Sequence, residues 1–168
     1  GLPLIDGDGM GRAFPELQHD TFMIYGVKAA PGAIADPRGH VAIFDGFEEA
    51  TVLERYARSV TIGMGGSAGY AFPVMTGIEL KETVVPGTIS LAIEIGDAVL
   101  KARDAHTDPV DSVLAITGGQ RLFNGKISDV QRALVGGFAR GVLKVEGTGS
   151  DTGKSLSIDI QNENLIAR

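Results

Sequence analysis

The chain has 168 residues, 43% of them hydrophobic and 21% charged, which is the composition of a globular protein able to bury a core. Its formal net charge of -6 argues against a nucleic-acid partner, because phosphate backbones require clustered Lys and Arg. With no cysteine, disulfides, thiolate zinc sites and a cysteine nucleophile are excluded, and no apolar run approaches the ~20 residues that span a bilayer.

The first predicted element is a short buried strand at residues 3–6, which leads into the glycine-rich segment DGDGMGRAFPELQ (6–18). A helix is predicted to open inside this segment, because Pro15 suits a first helical turn. β-Branched and aromatic residues predict a strand at 21–29. Two further strands follow within residues 32–46, joined by a turn at Asp36-Pro37-Arg38-Gly39.

Two helices are predicted in the middle of the chain. Residues 47–60 place apolar side chains on one helical face, and residues 87–105 do the same over a longer span. Thr88 is the expected N-cap of the longer helix, and basic residues near its C-terminus complement the helix dipole.

Beyond residue 112 the sequence changes to short alternating segments separated by glycine pairs, the pattern of β-strands. We therefore predict an α/β fold (a mixed sheet with flanking helices) with an attached all-β, barrel-like subdomain. The predicted boundary assigns residues 1–110 to the α/β domain and residues 111–168 to the all-β subdomain. The chain begins without Met and ends directly after a strand-like segment, so we expect a piece of a longer protein.

The spacing of the glycine-rich segment excludes two familiar ligand loops. A dinucleotide fingerprint requires G-x-G-x-x-G, whereas Gly7, Gly9 and Gly11 form G-x-G-x-G. An EF-hand loop that begins at Asp6 requires a Glu at its twelfth position, which is Leu17 here.

Two interpretations of the segment remain open. In the first, it is an active-site loop in which Asp6, Asp8, Arg12 and Glu16 hold a substrate or a metal ion. In the second, it is a turn whose aspartates accept hydrogen bonds from backbone N–H groups and whose Arg12 pairs with Glu16. Spacing alone does not decide between them.

Three other motifs require comment. TGSDTGKS (148–155) ends like a phosphate-binding P-loop, but the leading glycine is missing and strand-like residues follow, which predicts a hairpin turn. The histidines show no metal-ligand spacing, and only His19 lies near the glycine-rich segment. The polar run QNEN (161–164) can contact a ligand or satisfy backbone groups.

The segments DGDGMGRAFPELQ (6–18), GGFARG (136–141) and IQNENLIA (160–167), in this order, resemble the S-methyl thiohydantoin desulfurase-like family (DUF917). MGGSAG (64–69), PGTISLAIEIG (86–96) and LFNGKISDVQR (122–132) resemble its intervening blocks, so the similarity covers essentially the whole chain. Members of the family carry further sections before and after these blocks. The resemblance implies a hydrolase-type enzyme acting on a cyclic amide or thioamide of the hydantoin kind.

The resemblance also indicates which residues form the site. The family signature matches Asp6, Asp8, Arg12 and Glu16, which we predict to be catalytic, with Asp6 and Asp8 as candidate ligands of a divalent metal. Substrate-binding candidates in the signature are Gln18, Asn162 and Glu163. We expect a cytoplasmic protein with a small-molecule substrate, no membrane or nucleic-acid partner, and either self-association or a hydantoinase-type partner subunit. The alternative function is a non-catalytic binding or scaffolding subunit of such an enzyme.

Overall fold

The computed structural model describes residues 3–168, which form three antiparallel sheets and five α-helices. The strands are β1 (Gly7–Asp8), β2 (Gly32–Ala35), β3 (Val41–Phe44), β4 (Gly69–Ala71), β5 (Val85–Pro86), β6 (Gly125–Val135), β7 (Phe138–Gly147), β8 (Ser155–Gln161) and β9 (Asn164–Ala167). The helices are α1 (Thr21–Ile24), α2 (Ala50–Gly63), α3 (Gly77–Thr83), α4 (Thr88–Asp104) and α5 (Pro109–Thr117). Short 3-10 turns lie at Leu17–His19 and Gly149–Asp151.

The glycine-rich segment is held by the chain that precedes α4. Strand β1 pairs antiparallel with β5, so that Gly7 lies opposite Pro86. The prediction of a buried strand at 3–6 is wrong, because Leu4 and Ile5 are exposed and the short strand begins only at Gly7. The predicted helix near Pro15 is reduced to the single 3-10 turn.

The strand predicted at 21–29 is also wrong. Residues Thr21–Ile24 form α1, because the Asp20 side chain accepts a hydrogen bond from Phe22 N and caps the turn. The predicted hairpin is confirmed, since β2 pairs antiparallel with β3. Its turn is held by the Asp36 carboxylate, which accepts from the backbone N–H groups of Arg38 and His40.

The hydrophobic core lies between α2 and the three-stranded sheet β3-β2-β4. The helix predicted at 47–60 is confirmed and begins at Ala50. Its inner face packs Leu53, which is fully buried, and Ala57 against Ile34 on β2 and Phe72 just after β4. This packing gives the first half of the chain a closed interior.

The long predicted helix is confirmed as α4, but its N-terminus is built differently from the prediction. Gly87, in a left-handed conformation with φ of 77°, occupies the N-cap position instead of Thr88 and has no side chain to cap the helix. The capping carboxylate comes instead from Asp6, distant in sequence. The glycine-rich segment and α4 therefore form one structural unit.

The last part of the chain is a four-stranded meander, β6-β7-β8-β9, in which consecutive strands pair antiparallel. Helix α5 extends into the segment predicted to be all-β, so that residues 111–117 are helical. The described strands form an open sheet with β6 and β9 at its edges, which corrects the barrel-like expectation. The predicted hairpin after β7 is confirmed, since β8 follows where a P-loop requires a helix.

The meander is amphipathic, and its apolar face is open. Cross-strand pairing places the aliphatic side chains on one face: Ile127, Val130, Leu134, Leu143, Val145, Leu156, Ile158, Ile160 and Leu165. Leu134 and Leu165 are 67% and 63% exposed, and none of the described residues from 103 to 168 is buried. We call this surface the open sheet face. Of the helices described, none has the length and apolar character needed to cross a membrane.

Candidate functional site

Asp6, which was predicted to be catalytic, caps the N-terminus of α4 with its side chain. Its Oδ1 accepts hydrogen bonds from Ile89 N at 3.1 Å and Ser90 N at 2.9 Å, and its Oδ2 accepts from Ser90 Oγ at 2.6 Å. The Ser90 hydroxyl and backbone bonds hold the pKa of Asp6 below its usual value. Both carboxylate oxygens of Asp6 accept hydrogen bonds at a helix N-terminus. These contacts are those of a structural residue rather than of a free base.

Asp8 folds the loop onto itself. Its Oδ1 accepts from Met10 N and Gly11 N, both at 2.7 Å. Burial raises the pKa of Asp8, but the bonds from Gly11 and Met10 outweigh that effect and lower the pKa overall. These contacts are those of the turn interpretation, in which the aspartates satisfy backbone N–H groups.

A carboxyl group that the sequence analysis did not select lies against this loop. Asp20 is only 6% exposed, and its carboxylate lies over the backbone of Gly9, where an added Cβ would be 2.2 Å from Oδ1. Position 9 is therefore glycine because of close approach. Burial raises the pKa of Asp20 to about 6; the Phe22 N–H bond opposes this and the nearby Asp8 charge adds to it.

The loop also forms one wall of a pocket of about 260 Å³. Met10, Phe14 and Glu16 face it from the loop, and the opposite walls come from α2 and the sheet. Of the four residues predicted to be catalytic, only Glu16 lines this pocket. Glu16 occupies the N-cap position of the 3-10 turn without capping it through its side chain, and makes no side-chain hydrogen bond or ion pair within residues 3–168.

Tyr70 on β4 faces the same pocket. Its hydroxyl donates to Met10 Sδ at 3.8 Å, and a thioether sulfur is a weak acceptor. Burial raises the pKa of Tyr70, and the carboxylates of Asp20 and Asp8 raise it further. At neutral pH the phenol is therefore a hydrogen-bond donor at the wall of the pocket.

An ion pair between Glu54 and Arg58 on α2 forms the other polar wall of the pocket. Arg58 Nε donates to Glu54 Oε1 at 2.5 Å, while Glu54 Oε2 accepts from Leu17 N at 2.9 Å. The guanidinium also donates to Pro15 O and, at 3.1 Å, to Gly137 O in the β6–β7 turn. This pair therefore joins the loop, the helix and the meander.

Arg12 and Gln18 lie outside the pocket lining. Arg12 Nη1 donates to Ala13 O at 3.0 Å and to Glu163 O at 3.5 Å, so the predicted pairing of Arg12 with Glu16 is not formed among the described residues. The structure thus brings the loop to the QNEN segment through a backbone carbonyl. Gln18 Oε1 is buried and has no hydrogen-bond partner within residues 3–168.

Asn162 and Glu163 form the tight turn between β8 and β9. Asn162 Oδ1 accepts from Ala139 N at 2.6 Å, and Asn162 N donates to Ala139 O at 2.7 Å. The polar run therefore satisfies backbone groups of β7 at Asn162. Both turn residues line an open groove along the sheet, which is separate from the pocket beside Glu16 but shares Arg58 with it.

The donor set does not fit a metal centre made by these residues alone. Asp6 uses both oxygens as acceptors of N–H and O–H groups, and Asp8 uses one oxygen for two N–H groups. Within residues 3–168 there is no group of three or more His, Cys, Asp or Glu side chains able to hold an ion. We therefore derive no step through a metal.

Two family models match the sequence. The model described as "S-Me-THD-like, N-terminal domain" matches residues 1–46, and that described as "S-Me-THD-like, C-terminal domain" matches residues 48–168. The chain belongs to the S-Me-THD-like family. The predicted resemblance is confirmed. The two models meet at residues 46–48, and the predicted boundary at 110 stays a prediction.

A crystal structure of a protein from Chromobacterium violaceum is similar to this S-Me-THD-like chain, with a TM-score of 0.66 and 25% sequence identity. The match covers 97% of this chain and 43% of that one, so the present chain spans less than half the length of its solved relative. Comparison with curated proteins gave no significant match.

Several residues of this candidate site were not predicted from the sequence. Glu54 and Arg58 carry a detectable signal, since they stand four residues apart beside the apolar positions of a predicted helix. Asp20 also carries one, because an Asp before Thr and an apolar run is an N-cap signal that the predicted strand at 21–29 obscured. Tyr70 carries none, because only the fold of the sheet brings it to Met10.

Proposed function

We propose that this chain contributes to a hydrolase-type enzyme that acts on a cyclic amide or thioamide of the hydantoin kind. The observation that carries the proposal is the pocket of about 260 Å³ beside the family's signature loop. It is lined by Tyr70 and by Glu16, whose carboxylate has no partner within residues 3–168. Such a pocket has room for a five-membered ring with a side-chain-sized substituent. Membership of the S-Me-THD-like family supports the choice of a thiohydantoin-like ring.

The proposed step adds water to one ring carbon. Glu16 removes a proton from water as its oxygen bonds to that carbon, and Tyr70 donates a hydrogen bond to the oxygen or nitrogen that gains negative charge. The bond from carbon to the leaving nitrogen or sulfur then breaks, and the proton held by Glu16 passes to the leaving atom. Water is consumed, and no oxidant or reductant is needed.

The other three loop residues predicted to be catalytic have positioning roles in this proposal. Asp6 and Asp8 shape the loop through the bonds described above, and Arg12 ties it to Glu163. We propose positioning roles for these three residues. Gln18, Asn162 and Glu163 remain proposed contacts for a larger substrate.

The test measures turnover of two substrates. Hydrolysis of S-methyl thiohydantoin is detected by the release of methanethiol, and hydrolysis of 5-benzylhydantoin by chromatography of the ring-opened product. We expect Glu16→Gln to lower kcat by about 100-fold or more, the usual contribution of a general base. Glu82→Gln, an exposed glutamate on α3, is the matched control and should leave turnover unchanged. Equal rates for wild type and Glu16→Gln would refute the assignment, as would full loss in Asp8→Asn with full activity in Glu16→Gln.

A second candidate function is that of a non-catalytic subunit partnering a hydantoinase-type enzyme or a further copy of itself. The open sheet face supports it, because aliphatic side chains such as Leu134 and Leu165 stand exposed over four strands. Turnover by the chain alone would favour the enzyme, and activity only on mixing with such a partner would favour the subunit. Sedimentation separates self-association from both.

A further inference from the structure

The pocket beside Glu16 has an uneven distribution of charge that bears on the ligand it takes. This inference rests on the proposed function, because it concerns the ligand of the same pocket. The apolar wall includes the aromatic side chains of Phe14 and Phe72 and the aliphatic side chain of Ile34. Such a wall suits an apolar ring substituent, so selectivity depends on the few polar groups.

Each nitrogen of the cation at the pocket, Arg58, already has a hydrogen-bond partner. Arg58 is bonded to Glu54 Oε1, Pro15 O and Gly137 O, and its guanidinium also lies 4.2 Å from the centre of the Phe138 ring. A ligand carboxylate would have to displace these partners in order to pair with it. No other Lys, Arg or His is among the described residues that line the pocket.

The remaining charged groups are carboxylates. Glu16 and Glu54 line the pocket, and Asp8 and Asp20 lie close enough to Tyr70 to influence its hydroxyl. A carboxylate entering the pocket would meet charges of its own sign in a partly dry site, which disfavours it. A neutral ring meets no such repulsion.

Tyr70 and Glu16, two of the polar side chains that line the pocket, complement a ring amide. The Tyr70 hydroxyl, held by the weak acceptor Met10 Sδ, can turn to donate to a ring carbonyl. The Glu16 carboxylate can accept a hydrogen bond from a ring N–H. A cyclic amide presents both groups on neighbouring atoms.

We infer that the pocket selects an uncharged ring amide through Tyr70 and Glu16 and excludes the ring-opened N-carbamoyl carboxylate. Tyr70 and Glu16 would then be the residues that determine specificity.

The experiment compares two probes that carry the same benzyl substituent, 5-benzylhydantoin and N-carbamoylphenylalanine, by calorimetric titration at pH 7. We expect the ring to bind the wild-type protein at least tenfold more tightly than the carboxylate. Tyr70→Phe should weaken ring binding by about 3- to 10-fold, the effect of one lost hydrogen bond. Tyr56→Phe, which lies outside the pocket lining, is the matched control. Glu16→Gln should reduce the discrimination by improving carboxylate binding.

Equal affinity for the two probes would overturn the inference, and so would the absence of binding by either. An unchanged ring affinity in Tyr70→Phe would remove Tyr70 from it. These outcomes are separable from a failure of the proposed function. Ring binding without any turnover would refute the hydrolase and leave the selectivity standing, whereas turnover with equal probe affinities would do the reverse.

Discussion

The region around α2 and the C-terminal meander are stabilised in different ways. Around α2, helix and sheet enclose a small core in which Leu53 is fully buried beside Ile34 and Phe72. In the meander, four strands pair over long ladders, yet none of its described residues is buried. The first region is held by packing, and the second by backbone hydrogen bonds.

The described chain exposes more surface than its mass predicts. The described chain exposes 11194 Å², whereas a folded monomer of its mass, 17.5 kDa, exposes about 7,900 Å². The excess of roughly 3,000 Å² is the scale of an extensive interface, and the open sheet face supplies part of it. The contrast predicts that substitutions in the two regions differ sharply in their effects.

The largest effect is expected from Leu53→Ala. Removing a fully buried leucine leaves a cavity among Ile34, Phe72 and Ala57, and should lower the free energy of unfolding by about 3–5 kcal/mol. Urea unfolding followed by tyrosine fluorescence measures it well, because all three tyrosines lie in the first half of the chain.

Leu165→Ala is the matched control on the open sheet face. Because Leu165 is already exposed, its truncation should change the free energy of unfolding by less than about 1 kcal/mol. A loss as large as that of Leu53→Ala would mean that the sheet face is covered in solution, and the contrast between the regions would fail.

The second-largest loss of stability is expected from a substitution of Arg58, the residue that joins the two regions. Arg58→Ala leaves Glu54 largely buried without its partner and breaks the bond to Gly137 O, which should cost about 2–4 kcal/mol. Amide hydrogen exchange should show loss of protection at the β6–β7 turn as well as near Leu17. Arg55→Ala, exposed on the same helix, is the control. Protection lost equally in both variants would refute the joining role of Arg58.

The sequence predicted elements where local signals agreed with packing. The turn at Asp36 follows from local turn residues, and the helices α2 and α4 follow from helical periodicity. The strand predicted at 21–29 failed because the Asp20 cap outweighed the β propensity of Phe22 and Ile24.

The site was only partly predictable for a different reason. Glu16 was selected from the signature loop, and the structure places it in the pocket. The role of Asp6 depends on Ser90, far along the chain, and that of Tyr70 depends on sheet pairing that brings β4 beside the loop. Contacts of such sequence separation leave no periodic trace in a single sequence.

The third-largest effect is expected from Asp20→Asn, which should raise the free energy of unfolding. Burial raises the pKa of Asp20 to about 6 from 3.8, so between these pH values the folded state holds a proton that the unfolded state has lost. Stability should therefore fall as pH rises from about 4 to 6. Asp20→Asn keeps an acceptor for Phe22 N and removes the charge, and should gain about 2–3 kcal/mol at pH 7, because the pKa of about 6 already includes the effect of that bond. Urea titrations at pH 4 and pH 7 measure the change.

Asp97→Asn, exposed on α4, controls for net charge. The wild-type and Asp20→Asn proteins should have nearly equal stability at pH 4 and diverge at pH 7. A constant difference across this range would show that the Asp20 carboxyl does not titrate near 6 in the folded state.

The smallest effect is local to the start of α4. Asp6→Ala removes the acceptor of Ile89 N and Ser90 N, and Gly87 offers no replacement, so the first turn should fray. Because the Ser90 bonds lower the pKa of Asp6, its contribution is present above the usual value near 3.8 and is lost as pH falls through the lower folded value. Hydrogen exchange at Ile89 and Ser90 should therefore be faster in Asp6→Ala at neutral pH, with little change in tyrosine-detected unfolding. Ser90→Ala keeps both backbone bonds and should show a weaker effect. If Asp6→Ala unfolded the whole first region, the loop and the core would be one cooperative unit, and the contrast would lie wholly between that unit and the meander.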